Sequence, residues 1–215
     1  MAFDAVNDGL ERTADSSADD VRALQEMFGS NGGPQRWKQP PELTVLVSVM
    51  AYRPGGDVEY VATDELLTDR ESDELVRDLT DGLALLTADA FRQFSSVTRV
   101  VVPAGTVARV SRRDQIVAGR FDGLRRSEKK LGFGGRRAHK DGTITSGAIL
   151  LDSEFDAAST RRRLLRTHEL GHALGYNHVH SRASVMNPGL GTEPNEFDRQ
   201  AALIAFHSPA TIASR

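Results

Sequence analysis

The stretch HELGHALGYNH, residues 168–178, constrains this chain more tightly than any other. His168 and His172 are four residues apart, which on a helix stacks them on one face a turn apart. Leu164, Leu165, Leu170 and Leu174 recur at helical spacing, so a helix is predicted from near Ser159 or Thr160 to Gly175. Arg161, Arg162, Arg163 and Arg166 read as its wet face. Gly175 stands where the helix must stop, because glycine accepts the backbone conformation that reverses the chain. The reversal returns His178 towards the other two imidazoles. Three ring nitrogens can then converge on one cation at the ~2.0–2.1 Å of a zinc–nitrogen bond.

Three protein ligands leave a fourth position for water, the arrangement of a catalytic rather than a structural zinc site. Zinc lowers the pKa of such a water to about 7. Glu169 projects about 100° around the helix from His168. It can therefore flank the metal without binding it, take the proton of the zinc-bound water as general base, and pass it to a leaving amine. At average composition, this pattern of histidines, glutamate and glycine arises by chance on the order of 10⁻⁷ times per window, which favours the catalytic reading over a helix end rich in histidine. His180 lies two residues beyond the motif spacing and reads as a neighbour of the site.

The chain has no cysteine, which excludes disulfides, thiolate ligands and a cysteine nucleophile, and leaves His, Asp and Glu to hold any metal. A net charge of -3 provides no global attraction to nucleic acid or an anionic membrane. The longest apolar run, residues 43–51, is far short of the ~20 residues of a membrane-spanning helix. At 215 residues, one domain with an appendage is expected. Residues 1–41 read as an N-terminal extension and linker of unknown role, with a short helical piece over residues 21–28, and no basic flank leads into an apolar signal stretch. The compact domain is placed at residues 42–215, with an upper part 42–175 and a lower part 176–215.

Residues 43–52 are rich in β-branched side chains and predict a buried strand. Leu75, Leu79, Leu83, Leu86 and Ala90 predict a long amphipathic helix with Ser72 as its cap, and residues 95–105 a second strand, so a parallel crossover is expected. Residues 107–110 and 115–121 are short strand candidates, residues 143–152 a stronger one, and residues 196–206 a last helix. The basic, glycine-rich stretch RRSEKKLGFGGRRAHKDG reads as a solvated surface loop. Its glycines match neither a P-loop nor a dinucleotide fingerprint, so a nucleic-acid or anion binder using residues 125–140 is the minor alternative. The fold class expected is α/β (α+β), a twisted mixed sheet with two long helices against it.

HELGHALGYNH resembles the long zinc-binding consensus of the metzincin metalloproteases, and SVMNP, residues 184–188, resembles their methionine turn. The spacing between them is most similar to the matrixin branch. The resemblance implies a zincin fold with a small C-terminal subdomain holding the methionine turn. It implies one catalytic Zn²⁺ on His168, His172 and His178, Glu169 as base and then acid, Gly175 as the turn residue and Met186 as an apolar floor. Asn187 and Pro188 would wall the pocket for the side chain past the scissile bond. TITSGAILLD resembles the rim strand of the cleft, so the backbone of Ser146, Gly147, Ala148 and Ile149 would pair with an extended substrate. EFDRQAALIAF resembles the C-terminal matrixin helix, in which the residue matching Asp198 holds the methionine turn.

The function implied is a zinc-dependent endopeptidase acting on polypeptides, monomeric and secreted or exported. A non-catalytic metal-binding or interaction module on the same fold is the other alternative. The sequence also departs from the family. His139 is the only histidine where animal matrixins keep a second zinc, so that site is not expected. Calcium is not assignable, since Asp141 and Asp152 read as turn formers or caps. No tyrosine follows Met186, so the phenolic donor of the astacin branch has no counterpart.

Overall fold

The computed structural model describes residues 18–29, 33–53, 59–108 and 110–207. The sheet is built around β1 (Glu42–Arg53), in which Leu43, Val45, Leu46, Val49 and Met50 are all buried. Such a run, apolar on both faces, belongs to an inner strand. On one edge β1 pairs in parallel with β4 (Gln115–Asp122). Its other edge is shared: β3 (Val97–Val100) runs parallel along Leu43 to Leu46, and β2 (Glu59–Leu66) antiparallel along Ser48 to Arg53. Beyond β4 lies β6 (Ile144–Asp152), parallel to it, and then β5 (Gly132–Ala138), antiparallel to β6. The sheet is thus six-stranded, mixed and open, in the order β2-β1-β4-β6-β5 with β3 beside β1.

Six helices accompany it among the described residues: α1 (Ala18–Phe28), α2 (Asp69–Leu86), α3 (Leu124–Glu128), α4 (Ser153–Ala158), α5 (Arg162–Leu174) and α6 (Glu196–His207). None is long and apolar enough to cross a membrane. The class is α+β. Leu75, Leu79 and Leu83 of α2 and Leu165, Leu170 and Leu174 of α5 form one core with Val45, Ile116, Ile149 and Leu151 from one sheet face. Leu46, Met50, Val117 and Leu150 lie in a smaller cluster on the other face, as the two-residue period of a strand requires.

Several expectations need correction. The core does not begin at Glu42: Ala23, Leu24, Met27 and Phe28 of α1, with Trp37, belong to the same buried cluster as α2 and α5. The predicted piece at residues 21–28 is amphipathic and buries its apolar face there; residues 1–17 and 30–32 lie outside the described residues. The cap of α2 is Thr68, which shares a reciprocal capping box with Glu71, while Ser72 is inside the helix and accepts from Arg99 Nε at 2.9 Å. Val107 makes only an isolated bridge to Val61. Arg166 is not on a wet face: its guanidinium is buried, bonded to Asp156 through Nε and Nη2 and to Asp78 through Nη1. Asp156 also accepts from Arg120 Nε, so the buried charges are mutually paired.

Ser146, Gly147, Ala148 and Ile149 lie in β6, which is paired on both sides, to β4 and to β5. Their backbone has no free edge to offer a substrate. The glycine-rich stretch read as a loop supplies β5 instead, which ends the sheet on this side and has no second strand partner among the described residues.

Candidate metal centre

His168 and His172 project from the last two turns of α5, and His178 follows the chain reversal at Gly175. The Nε2 atoms of His168 and His178 are 3.3 Å apart, and those of His172 and His178 are 3.1 Å apart. Two nitrogens each bound to one tetrahedral zinc-sized ion stand about 3.3 Å apart. One nitrogen from each ring lies within 4.8 Å of the others, so the three histidines could hold a metal ion.

The remaining ring nitrogens set the tautomers. His168 Nδ1 is 2.7 Å from the Val185 carbonyl, and His172 Nδ1 is 2.8 Å from the Tyr176 carbonyl. A proton on each Nδ1 satisfies these acceptors and leaves the Nε2 lone pair for a metal. Burial lowers the pKa of all three rings, that of His172 to about 3, which favours the neutral imidazoles that ligate. His168 is buried, His172 intermediate and His178 exposed, so the cluster opens to solvent on the His178 side.

Glycine is required at the reversal on two counts. Gly175 has φ of 121°, and a Cβ there would lie 2.1 Å from the Gln35 carbonyl oxygen. The residues around His178 are then tied down individually. Tyr176 donates its hydroxyl to the Leu86 carbonyl at 2.6 Å, Asn177 N–H bonds to the Met27 carbonyl, and Val179 N–H to the Met186 carbonyl. The Glu26 carboxylate accepts from the N–H groups of His180 and Ser181 and from the Ser181 hydroxyl. Trp37 Nε1 donates to the Ala173 carbonyl, and Arg136 reaches Gln35, Asn177 and the carbonyls of His172 and Tyr176. Residues 18–29 and 33–41, whose role was unread in the sequence, thus brace the turn that carries His178.

The turn at residues 184–186 supports α5 from below. Met186 is fully buried, and a Cβ on Gly171, between the two helical histidines, would meet its sulfur at 2.3 Å. Asp198 on α6 accepts from the Ser184 hydroxyl and from the N–H groups of Val185 and Asn195, and Val185 in turn holds His168. Asn187 folds back on its own turn, accepting from Gly189 N–H, and Pro188 is exposed. Asp141 accepts from Thr143, and Asp152 caps α4 at Phe155 N–H, so both act as turn and cap residues.

Glu169 is buried against β5. A Cβ on Gly132 would lie 2.6 Å from its Oε1, and one on Gly134 would lie 2.2 Å from its backbone oxygen and 2.7 Å from His172 Cβ. Burial raises the Glu169 pKa to about 8, against the opposing pull of the Gly134 N–H and the Lys130 charge. A carboxyl whose pKa burial raises therefore stands next to His168, one of the three histidines that could hold a metal ion. Gly147, by contrast, packs against Ile116 and Ala173 in the layer beneath α5. Glycines at alternate positions of GFGG were the available signal for β5, since such spacing marks a strand approached closely by other backbone. Compared with known protein-family models the chain matches none, and a search of curated proteins finds no match.

Proposed function

We propose that this chain is a zinc-dependent endopeptidase of the metzincin type, closest in motif to the matrixin branch. The observation that supports it best is the convergence of the three Nε2 atoms with Glu169 adjacent to a ligand on the same helix. All-imidazole ligation with no thiolate suits Zn²⁺, and His168, His172 and His178 would hold it. When bound, the metal supplies Lewis acidity that polarises a carbonyl and makes water acidic.

The chain's own residues do the rest. Glu169 takes a proton at its carboxylate and returns it to the leaving nitrogen. Gly132 and Gly134 let the β5 backbone lie against that carboxylate and screen it from bulk water. An extended polypeptide adds to the outer edge of β5, in the part first assigned to Ser146–Ile149. Asn187 and Pro188, directly after Met186, contribute to the wall of the adjoining side-chain pocket. Met186, held by Asp198 through residues 184 and 185, keeps His168 and His172 in place. By the same resemblance the protein is exported.

The test is cleavage of a mixed peptide library by the zinc-loaded protein, read by mass spectrometry beside Glu169→Ala and a chelated sample. Cleavage by the untreated wild type alone is expected. One zinc per chain with no cleavage of any peptide would instead identify a non-catalytic metal-binding module.

A further inference from the structure

The stretch over residues 124–140 carries Arg125, Arg126, Lys129, Lys130, Arg136, Arg137 and Lys140 against the single carboxylate of Glu128, in a chain of net charge -3. Elsewhere many exposed cations have carboxylate partners, as in Arg70–Glu74, Arg99–Asp73 and Arg163–Asp81, and the exposed cations without one among the described residues, Arg77, Arg112 and Arg161, are scattered singly along the chain. Within the stretch, Arg126 pairs with Asp122 and Arg136 turns inward. Arg125, Lys129, Lys130, Arg137 and Lys140 are exposed and have no ion-pair partner among the described residues. In sequence Lys129 and Lys130 directly precede β5, Arg137 lies within it and Lys140 follows it.

Their placement along β5 is specific. Gly134 lies against Glu169 and His172, so the middle of the strand passes the metal cluster. Lys130 precedes that point, its ammonium 5.3 Å from the exposed Phe133 ring, and Arg137 and Lys140 follow it. At about 3.3 Å per residue, peptide positions opposite Lys130 and Arg137 fall roughly 10–13 Å to either side of the position opposite Gly134.

We infer that the β5 edge selects extended polypeptides with acidic side chains three to four residues to each side of the bond to be cut. This inference rests on the peptidase reading. An unpaired strand edge offers alternating N–H and C=O groups that a polypeptide backbone matches and a sugar–phosphate backbone does not. Phe133 is the lone exposed aromatic of the strand, so the edge lacks the successive stacking surfaces of a single-strand nucleic-acid groove. Each exposed charge pair contributes about two- to five-fold, and several acting together about ten-fold.

The experiment uses the full zinc-loaded chain and two peptide sets sharing one varied centre, one flanked by Glu and Asp, the other by Gln and Asn. The ratio of their kcat/KM values is measured for wild type and for Lys130→Glu/Arg137→Glu. Anisotropy with the Glu169→Ala protein reads binding of the same labelled peptides and of a single-stranded DNA. The acidic set is expected to be cut about ten-fold better, with the ratio falling towards one in the double variant and, independently of any folding defect, in wild type at high salt. Equal cleavage of both sets would overturn the charge selection while leaving the peptidase intact. Preferential binding of DNA over the acidic peptides would overturn it in favour of nucleic acid. Acidic-peptide binding without cleavage would support the docking edge and remove the peptidase reading, and neither binding nor cleavage would overturn both.

Discussion

Replacing Gly134 by alanine tests how tightly β5 is pressed onto α5. The added Cβ would lie 2.2 Å from the Glu169 carbonyl oxygen and 2.7 Å from His172 Cβ. A carbon and an oxygen in close non-bonded contact stand about 3.3 Å apart, so strand and helix must separate by about 1 Å. The obstacle on one side is backbone, which no rotamer change relieves. Overpacking of this kind costs about 1–3 kcal/mol, with the upper end expected because lifting β5 also uncovers Glu169. Removing the entropy of a strand glycine returns about 0.5–1 kcal/mol. The net expectation is about 2 kcal/mol of destabilisation.

Gly171→Ala is the control. Its Cβ would lie equally close, 2.3 Å, but to the sulfur of Met186 at the end of a flexible side chain. Rotating that side chain costs about 0.5–1.5 kcal/mol. Alanine returns about 1 kcal/mol inside a helix, so the net change is near zero. Urea unfolding of the two chelator-treated variants measures stability, and competition against a chromophoric chelator measures zinc affinity. Gly134→Ala should lose both, whereas Gly171→Ala should weaken zinc binding with little loss of stability. Gly134→Ala within about 0.5 kcal/mol of wild type, or Gly171→Ala the more damaging of the two, would refute the reasoning.

Three further outcomes follow from the same contacts. Glu26→Ala removes the acceptor for His180 and Ser181, and is expected to cost about 1–2 kcal/mol and to weaken metal binding about ten-fold, as read by chelator competition. Arg166→Ala leaves Asp156 and Asp78 without their shared partner in the interior and should cost about 3–5 kcal/mol in guanidinium unfolding. Burial works to raise the pKa of Glu71, but the Arg120 and Thr68 hydrogen bonds outweigh it and hold the carboxyl down at about 2. Because the folded value lies below the unfolded one, the stabilisation is complete above about pH 5 and drains away as pH falls towards 2. It amounts to about 1–2 kcal/mol once solvent screening is allowed for. Stability measured against pH should show this acid limb in wild type and a flatter one in Glu71→Gln.

The histidine cluster was legible in the sequence because its logic is local. A four-residue spacing on a helix, a glycine at the stop and a third histidine three residues later determine where three nitrogens can meet, whatever else the chain does. The buried strand β1, most of the helix α2 and the last helix were equally readable from their own periodicity, but the spacing carried α2 on to Ala90, whereas it stops at Leu86 and the chain turns through positive φ at Ala88 and Asp89. The part of Asp198 was read only through family resemblance. Its hydrogen bonds to Ser184 and Val185 join residues whose spacing along the chain follows no local rule.

Tertiary structure decided the rest. Local periodicity does not say which strand is last in a sheet, because pairing is chosen between segments far apart in the chain; hence β6 is enclosed and β5 ends the sheet. Glycines in GFGG announce freedom of approach but not that Glu169 and His172 are what approaches. Arg166 looks solvated until Asp78 and Asp156, from α2 and α4, close around it. The bracing of the turn on either side of His178, at Gly175 by Gln35 and at His180 and Ser181 by Glu26, likewise depends on α1 and residues 33–41 packing beside the end of α5, contacts more than a hundred residues apart in sequence that only the folded core brings about.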